Sequence, residues 1–129
     1  MPIETPQREL HSWFVPVTIG DTLVGFLQLL PDLTLLRYSS FQRRDDSLEG
    51  CPSAESWIDI GDVRRRAGQH ARRSEKAGTP FLTYDGAPSR LAWAVPLTSR
   101  DGATRTLFVA GTAVWETPPA GDPESYGGR

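Results

Sequence analysis

The sequence predicts an α+β domain: one mostly antiparallel sheet of about six strands, in the order β-β-β-α-β-β-β, with one long helix packed on it. Three observations carry that expectation. Trp13-Phe14-Val15-Pro16-Val17-Thr18 recurs eighty positions later as Trp93-Ala94-Val95-Pro96-Leu97-Thr98, with an Asp, Asp21 or Asp101, eight residues past each Trp. Each copy opens a strand, turn, strand pattern whose links are too short for a parallel crossover. Between the two copies, one segment has apolar residues at helical spacing.

The elements follow in order. Residues 1–10 are polar, carry Pro2 and Pro6, and read as a loose N-terminal segment. Residues 13–18 and 23–30 are strands flanking Ile19-Gly20-Asp21-Thr22, a turn with Gly and Asp where a hairpin needs positive φ. Pro31-Asp32 punctuates the chain, and residues 33–41 form a third strand. Residues 42–56 are a polar excursion with Arg43, Arg44, Asp45, Asp46, Gly50 and Pro52.

Asp59 or Gly61-Asp62 opens the helix, because a short carboxylate accepts from the orphan N–H groups of the first turn. Ile60, Val63, Ala67 and Ala71 give it a narrow stripe of mostly small residues, and it runs to about Lys76, with Gly78 and Pro80 as its stop. Three more strands, at 81–84, 91–98 and 104–110, are joined by Asp85-Gly86-Ala87-Pro88 and Ser99-Arg100-Asp101-Gly102, with 112–115 extending the last past Gly111. Pro16 and Pro96 lie inside strands, which should therefore be edges or carry bulges there. Residues 117–129, rich in Pro, Gly and charge, read as a flexible tail, leaving 11–116 as one domain.

Composition narrows the function classes. A chain of 129 residues can bury a core without staples, and its one cysteine, Cys51, excludes an internal disulfide. Together with the absence of a signal-peptide pattern or a membrane-length apolar run, this points to a cytoplasmic protein with no membrane partner. A net charge of -2 supplies no global field toward phosphate backbones or anionic lipids. Thirteen of the fourteen basic residues are Arg, a bias that reflects GC-rich codon usage rather than a binding need.

No catalytic or metal-ligating set stands out, and no cofactor is expected. Cys51 could serve as a nucleophile only with His11 or His70 beside it, and nothing in the sequence places either there. Asp45 and Asp46 point apart if extended, and there is neither a phosphate-binding glycine pattern nor a metal-ligand helix pair. Two groups remain. Trp13, Tyr38, Trp57 and Tyr84 could line a ligand pocket between sheet and helix, although Trp93, in phase with Leu91, Val95 and Leu97, reads as core, and Trp57 and Trp115 read as half-exposed. Arg65, Arg66, Arg72 and Arg73 form a basic helix face suited to a partner; the acidic overall balance argues against nucleic acid as that partner.

In the second half, the helix followed by Phe81-Leu82-Thr83-Tyr84-Asp85-Gly86, Arg90-Leu91-Ala92-Trp93-Ala94-Val95-Pro96-Leu97 and Thr106-Leu107-Phe108-Val109-Ala110-Gly111 resembles a PepSY-type domain over residues 58–116. The likeness implies a helix on a three-stranded antiparallel sheet and non-catalytic binding or restraint of a peptidase. The chain departs from that family at Ala110-Gly111-Thr112-Ala113, which lacks the family's Asp after the last strand. The function expected is therefore that of a small non-enzymatic domain binding a protein or peptide, with a homo-oligomer left open. The alternatives are a small-ligand protein or small enzyme with a pocket between sheet and helix, and an Arg-mediated nucleic-acid binder.

Overall fold

The computed structural model describes residues 1–44, 46–86 and 90–116. Among these residues, two antiparallel sheets replace the single expected one. The first holds β1 (Pro2–Glu4), β2 (Leu10–Ile19), β3 (Thr22–Leu29) and β4 (Leu35–Ser40), side by side in that order. Two short helices follow, α1 (Ala54–Ile58) and α2 (Ile60–Gly68). The second sheet holds β5 (Lys76–Ala77), β6 (Phe81–Tyr84), β7 (Leu91–Thr98), β8 (Thr104–Ala110) and β9 (Ala113–Glu116). One edge of β7 pairs with β5 and then β6, the other with β8, and β8 pairs in turn with β9.

The expected single sheet fails at the N-terminus. Residues 2–4, read as part of a loose end, form β1, which pairs with the start of β2 and packs against β6 without bonding to it. Its Ile3 is fully buried, and the Met1 ammonium donates to the Phe14 carbonyl at 2.9 Å. A strand in that place separates the two hairpins that were expected to pair.

The long helix is also corrected. Asp59 does cap α2, accepting from the Asp62 N–H at 3.0 Å, but it also closes α1, which Ser53 opens. Helix α2 ends at Gly68 because its buried stripe runs out. Val63 and Ala67 are fully buried and Ala71 partly so, but the next positions on that face are Ser74, Glu75 and Gly78. With nothing apolar left to bury, continuing the helix gains little packing to offset its backbone entropy. Residues 76–77 become strand β5 instead. The last strand is not extended past Gly111 either: Gly111, at φ +60°, turns the chain so that Ala113 pairs with Ala110 and β9 folds back on β8. The expected flexible tail at 117–129, Asp45 of the acidic pair, and Ala87 and Pro88 of one expected turn lie outside the described residues.

Both prolines behave as a missing donor requires. Pro16 pairs with Phe26 in β3, while β1 reaches only as far as Trp13 on the other edge. Pro96 faces the gap between β5 and β6, where Gly78 donates its N–H to the Pro96 carbonyl at 2.8 Å. A Cβ on Gly78 would stand 2.9 Å from the Pro96 ring, so the close passage needs glycine.

The two Trp repeats start equivalent pairings, Trp13 opposite Leu29 and Trp93 opposite Val109, although the first hairpin alone shifts register between Val17 and Thr18, and the two copies face opposite ways. Trp93 is buried, its indole N–H donating to the Trp57 carbonyl at 2.7 Å, and it shares the core with Val95, Leu97, Leu107 and Val109. In the first hairpin Phe14 takes the core position and Trp13 lies on the outer face, half-buried. The two copies thus present different residues to the core, Phe14 in the first and Trp93 in the second. Trp57, expected to be half-exposed, is buried as well, stacked on Phe14 with ring centroids 5.5 Å apart. One core joins both sheets and both helices through Ile3, Phe14, Leu23, Trp57, Val63 and Trp93.

Candidate interaction surface

The first hairpin is apolar on both faces. Strand β3 reads Leu23-Val24-Gly25-Phe26-Leu27-Gln28-Leu29, so alternation does not say which side turns inward. The structure turns Phe26 and Gln28 to the core and Leu27 and Leu29 outward. Gln28, the one strongly polar residue of the strand, is buried and donates to the Ser12 hydroxyl at 2.8 Å, which also meets His11 Nδ1 at 2.8 Å. The ordinary arrangement of polar out and apolar in is thus inverted along this strand.

Its consequence is an uncharged outer face. Cross-strand register aligns Trp13, Leu29 and Leu35 in one row and Val15, Leu27 and Tyr38 in the next. Leu35 is 63% and Tyr38 49% exposed. The Tyr38 ring leans over Gly25, where any Cβ would overlap the phenol oxygen and lie 2.6 Å from the Ser39 carbonyl, so this glycine is what lets the ring lie flat on the sheet. Strand β4 forms the free edge of the sheet. The turn leading into β4 places Leu33, 65% exposed, at φ +71°, a conformation that costs a non-glycine residue roughly 1–2 kcal/mol. Asp32 holds that turn by accepting from the Thr34 hydroxyl at 2.6 Å and backbone N–H at 3.0 Å, bonds that lower its pKa.

The four residues expected to line a pocket between sheet and helix are dispersed. Trp13 and Tyr38 share the outer face of the first sheet and Trp57 is core. Tyr84 packs its ring edgewise on His11, with centroids 5.3 Å apart, beside a separate concavity on the second sheet.

The basic face divides in the same way. Arg65 pairs with Asp62 at 2.8 Å on the surface. Arg66 points inward, its guanidinium donating to the carbonyls of Gly111 and Ser56, and so bolts the helices to the β8–β9 turn. Arg72 and Arg73 are exposed, and their side chains make no hydrogen bond or ion pair among the described residues. A residue not singled out from sequence, Arg105, joins Glu75 at 2.8 Å and Glu116 at 2.7 Å. The Arg105 hydrogen bonds, followed by the backbone N–H of Arg72, pull the Glu75 carboxyl down to about 2.

Among the described residues no group of three or more His, Cys, Asp or Glu is placed to hold a metal ion, and no helix is long and apolar enough to cross a membrane. His11 lies against Ser12 and Tyr84, and His70 Nδ1 lies 3.1 Å from the Arg66 carbonyl; neither contact involves Cys51. No family model, curated protein or solved structure matches the chain.

Proposed function

We propose that this protein is a non-enzymatic interaction domain that holds an extended, apolar, uncharged segment of a protein or peptide against the outer face and free edge of its first sheet. The observation that carries the reading is the inverted strand β3, with Gln28 buried while Leu27 and Leu29 face outward beside exposed Leu35 and Tyr38. Contiguous apolar surface of this kind favours association, because covering it releases its hydration. An added strand on β4 would pair main-chain groups that the sheet leaves unused and would lay alternate side chains on the Trp13–Leu29–Leu35 and Val15–Leu27–Tyr38 rows. The resemblance of residues 58–116 to PepSY-type domains makes a peptidase one partner to look for.

Affinity capture from native lysate tests the reading with two baits, the wild type and a Leu35→Lys/Tyr38→Lys double variant. Leu35 is mostly exposed and Tyr38 half-exposed on the outer face, and neither belongs to the core, so the variant should fold as the wild type does. The expected result is a partner retained by the wild type and lost from the variant. A wild-type bait that returns alone and monomeric, or a partner held equally by both baits, overturns it.

A further inference from the structure

A concentration of positive charge lies where the connection from α2 to β5 meets the turn between β7 and β8. Antiparallel register pairs Lys76 with Thr98, so the residues just before Lys76 lie beside those just after Thr98. Two adjoining concavities of about 570 and 490 Å³ open there, both lined by Arg73, Ser74 and Arg100, with Arg72 in the first and Lys76 in the second. Arg72, Arg73, Lys76 and Arg100 are all exposed, and their side chains make no hydrogen bond or ion pair among the described residues. The helix arginines before them are engaged. Arg64 donates to the Ala77 carbonyl at 2.9 Å, Arg65 pairs with Asp62, and Arg66 holds the Gly111 and Ser56 carbonyls.

Two acids stand in the same loops, and both are committed to other partners. Glu75, which also lines the second concavity, joins Arg105 at 2.8 Å and accepts from the Arg72 backbone N–H at 2.7 Å. Asp101 Oδ1 accepts from the Ser99 hydroxyl and from the Ala103 N–H at 3.1 Å. These bonds set the shape of the site. The Glu75 N–H returns to the Arg72 carbonyl at 2.9 Å, closing 72–75 into a turn tied to β8 through Arg105, and the Ser99 N–H closes the other loop on the Ala103 carbonyl at 2.8 Å. With Arg105 and its second partner Glu116 included, five cations meet three acids, so the neighbourhood stays positive on a chain whose net charge is -2. Like charges gathered this way repel one another until an anion joins them.

We infer that these concavities bind a small anion carrying two or more linked phosphate groups. Guanidinium forks and an ammonium donate well to phosphate oxygens, and the Ser74 hydroxyl adds a neutral donor. Two concavities sharing a rim of Arg73 and Arg100 suit linked groups better than a single one. No aromatic side chain lines either of them to stack a base, which favours a compact polyphosphate over nucleic acid. The site uses no residue of the first sheet, so it stands or falls separately from the interaction surface proposed there.

Tripolyphosphate is the probe, and citrate is the control that keeps a multiple negative charge but carries it on carboxylates. Calorimetry on the full chain at low ionic strength is expected to give a saturable dissociation constant at or below about 1 mM for tripolyphosphate, weakening several-fold with added salt, and citrate is expected to bind at least ~5-fold more weakly. Arg73→Gln/Arg100→Gln removes the two cations common to both concavities and should weaken tripolyphosphate at least ~10-fold. Arg43→Gln/Arg44→Gln makes the same change in net charge outside the concavities and should alter the affinity less than ~2-fold. All four residues are exposed, so both variants should melt as the wild type does. Co-sedimentation with vesicles bearing a phosphorylated inositol headgroup separates the sources of phosphate: pelleting that tripolyphosphate competes away assigns the site to a lipid headgroup, and tripolyphosphate binding without pelleting assigns it to a soluble compound. No saturable tripolyphosphate binding, equal losses in the two double variants, citrate bound as tightly, or a short single-stranded oligonucleotide bound more tightly than tripolyphosphate overturns the inference.

Discussion

Removing the Ser12 hydroxyl probes the inversion of β3 directly, because that hydroxyl is what makes a buried Gln28 tolerable. Both residues are shielded from water, and the amide donates to the hydroxyl at 2.8 Å. Ser12→Ala leaves the amide donor buried and unmet, which costs about 1–3 kcal/mol. Gln28→Met nearly preserves volume and leaves the hydroxyl its contact with His11 Nδ1 at 2.8 Å, so about 0.5–1.5 kcal/mol is expected. The double variant removes both partners and should be less destabilised than the sum of the two, with a coupling of about 1–2 kcal/mol. Urea unfolding monitored by tryptophan fluorescence reads these values as midpoint shifts at constant slope; for a domain of this length each kcal/mol also moves the melting temperature by roughly 3–5 °C. A Ser12→Ala midpoint within about 0.3 kcal/mol of wild type would mean the pair is not buried. Additive losses would mean the two residues do not meet. Either result removes the polarity inversion on which the proposed interaction surface rests.

Two further outcomes separate structural from surface charge. Arg66→Met should cost about 1.5–3 kcal/mol because it releases the carbonyls of Gly111 and Ser56, whereas Arg65→Ala, which breaks only a surface pair with Asp62, should change thermal unfolding by less than about 1 kcal/mol; equal losses would contradict the inward placement of Arg66. Glu75 has its folded pKa pulled from an ordinary 4.5 down to about 2, so the stability it contributes is fully present above pH 4.5 and lost as pH falls from there toward 2. Chemical denaturation across that window should show a steeper decline for wild type than for Glu75→Gln, and parallel declines would count against the Arg105 pairing.

Much of the local structure was legible in the sequence because short-range chemistry governs it. The hairpin between β2 and β3 turns at Gly20, φ +58°, and that between β7 and β8 at Gly102, φ +91°, where glycines beside Asp21 and Asp101 announced them. Asp59 caps α2 for the same reason, and both prolines sit where a missing N–H is tolerated. Candidate site residues were less legible. Trp13 and Tyr38 do share a face, but Trp57 joined the core and Arg66 turned inward, because burial depends on what arrives from distant parts of the chain. No sequence signal marked Glu75 and Arg105 as a pair, since thirty positions separate them.

The repeated Trp-x-Val-Pro-x-Thr shows where the boundary between the two lies. Local chemistry, which the sequence carries by itself, accounts for a hairpin at each copy, although the turns differ: the first closes on Gly20-Asp21 with a register shift between Val17 and Thr18, the second on a longer loop from Ser99 to Ala103. That Trp93 faces in and Trp13 faces out depends on contacts from distant parts of the chain, because a strand apolar on both sides has no preferred face until its neighbours arrive. Trp57 of α1 stacks on Phe14 with centroids 5.5 Å apart and closes the inner face, with Ile3 of β1 buried in the same core. The apolar surface on the other side of β2, β3 and β4 is left outside that core.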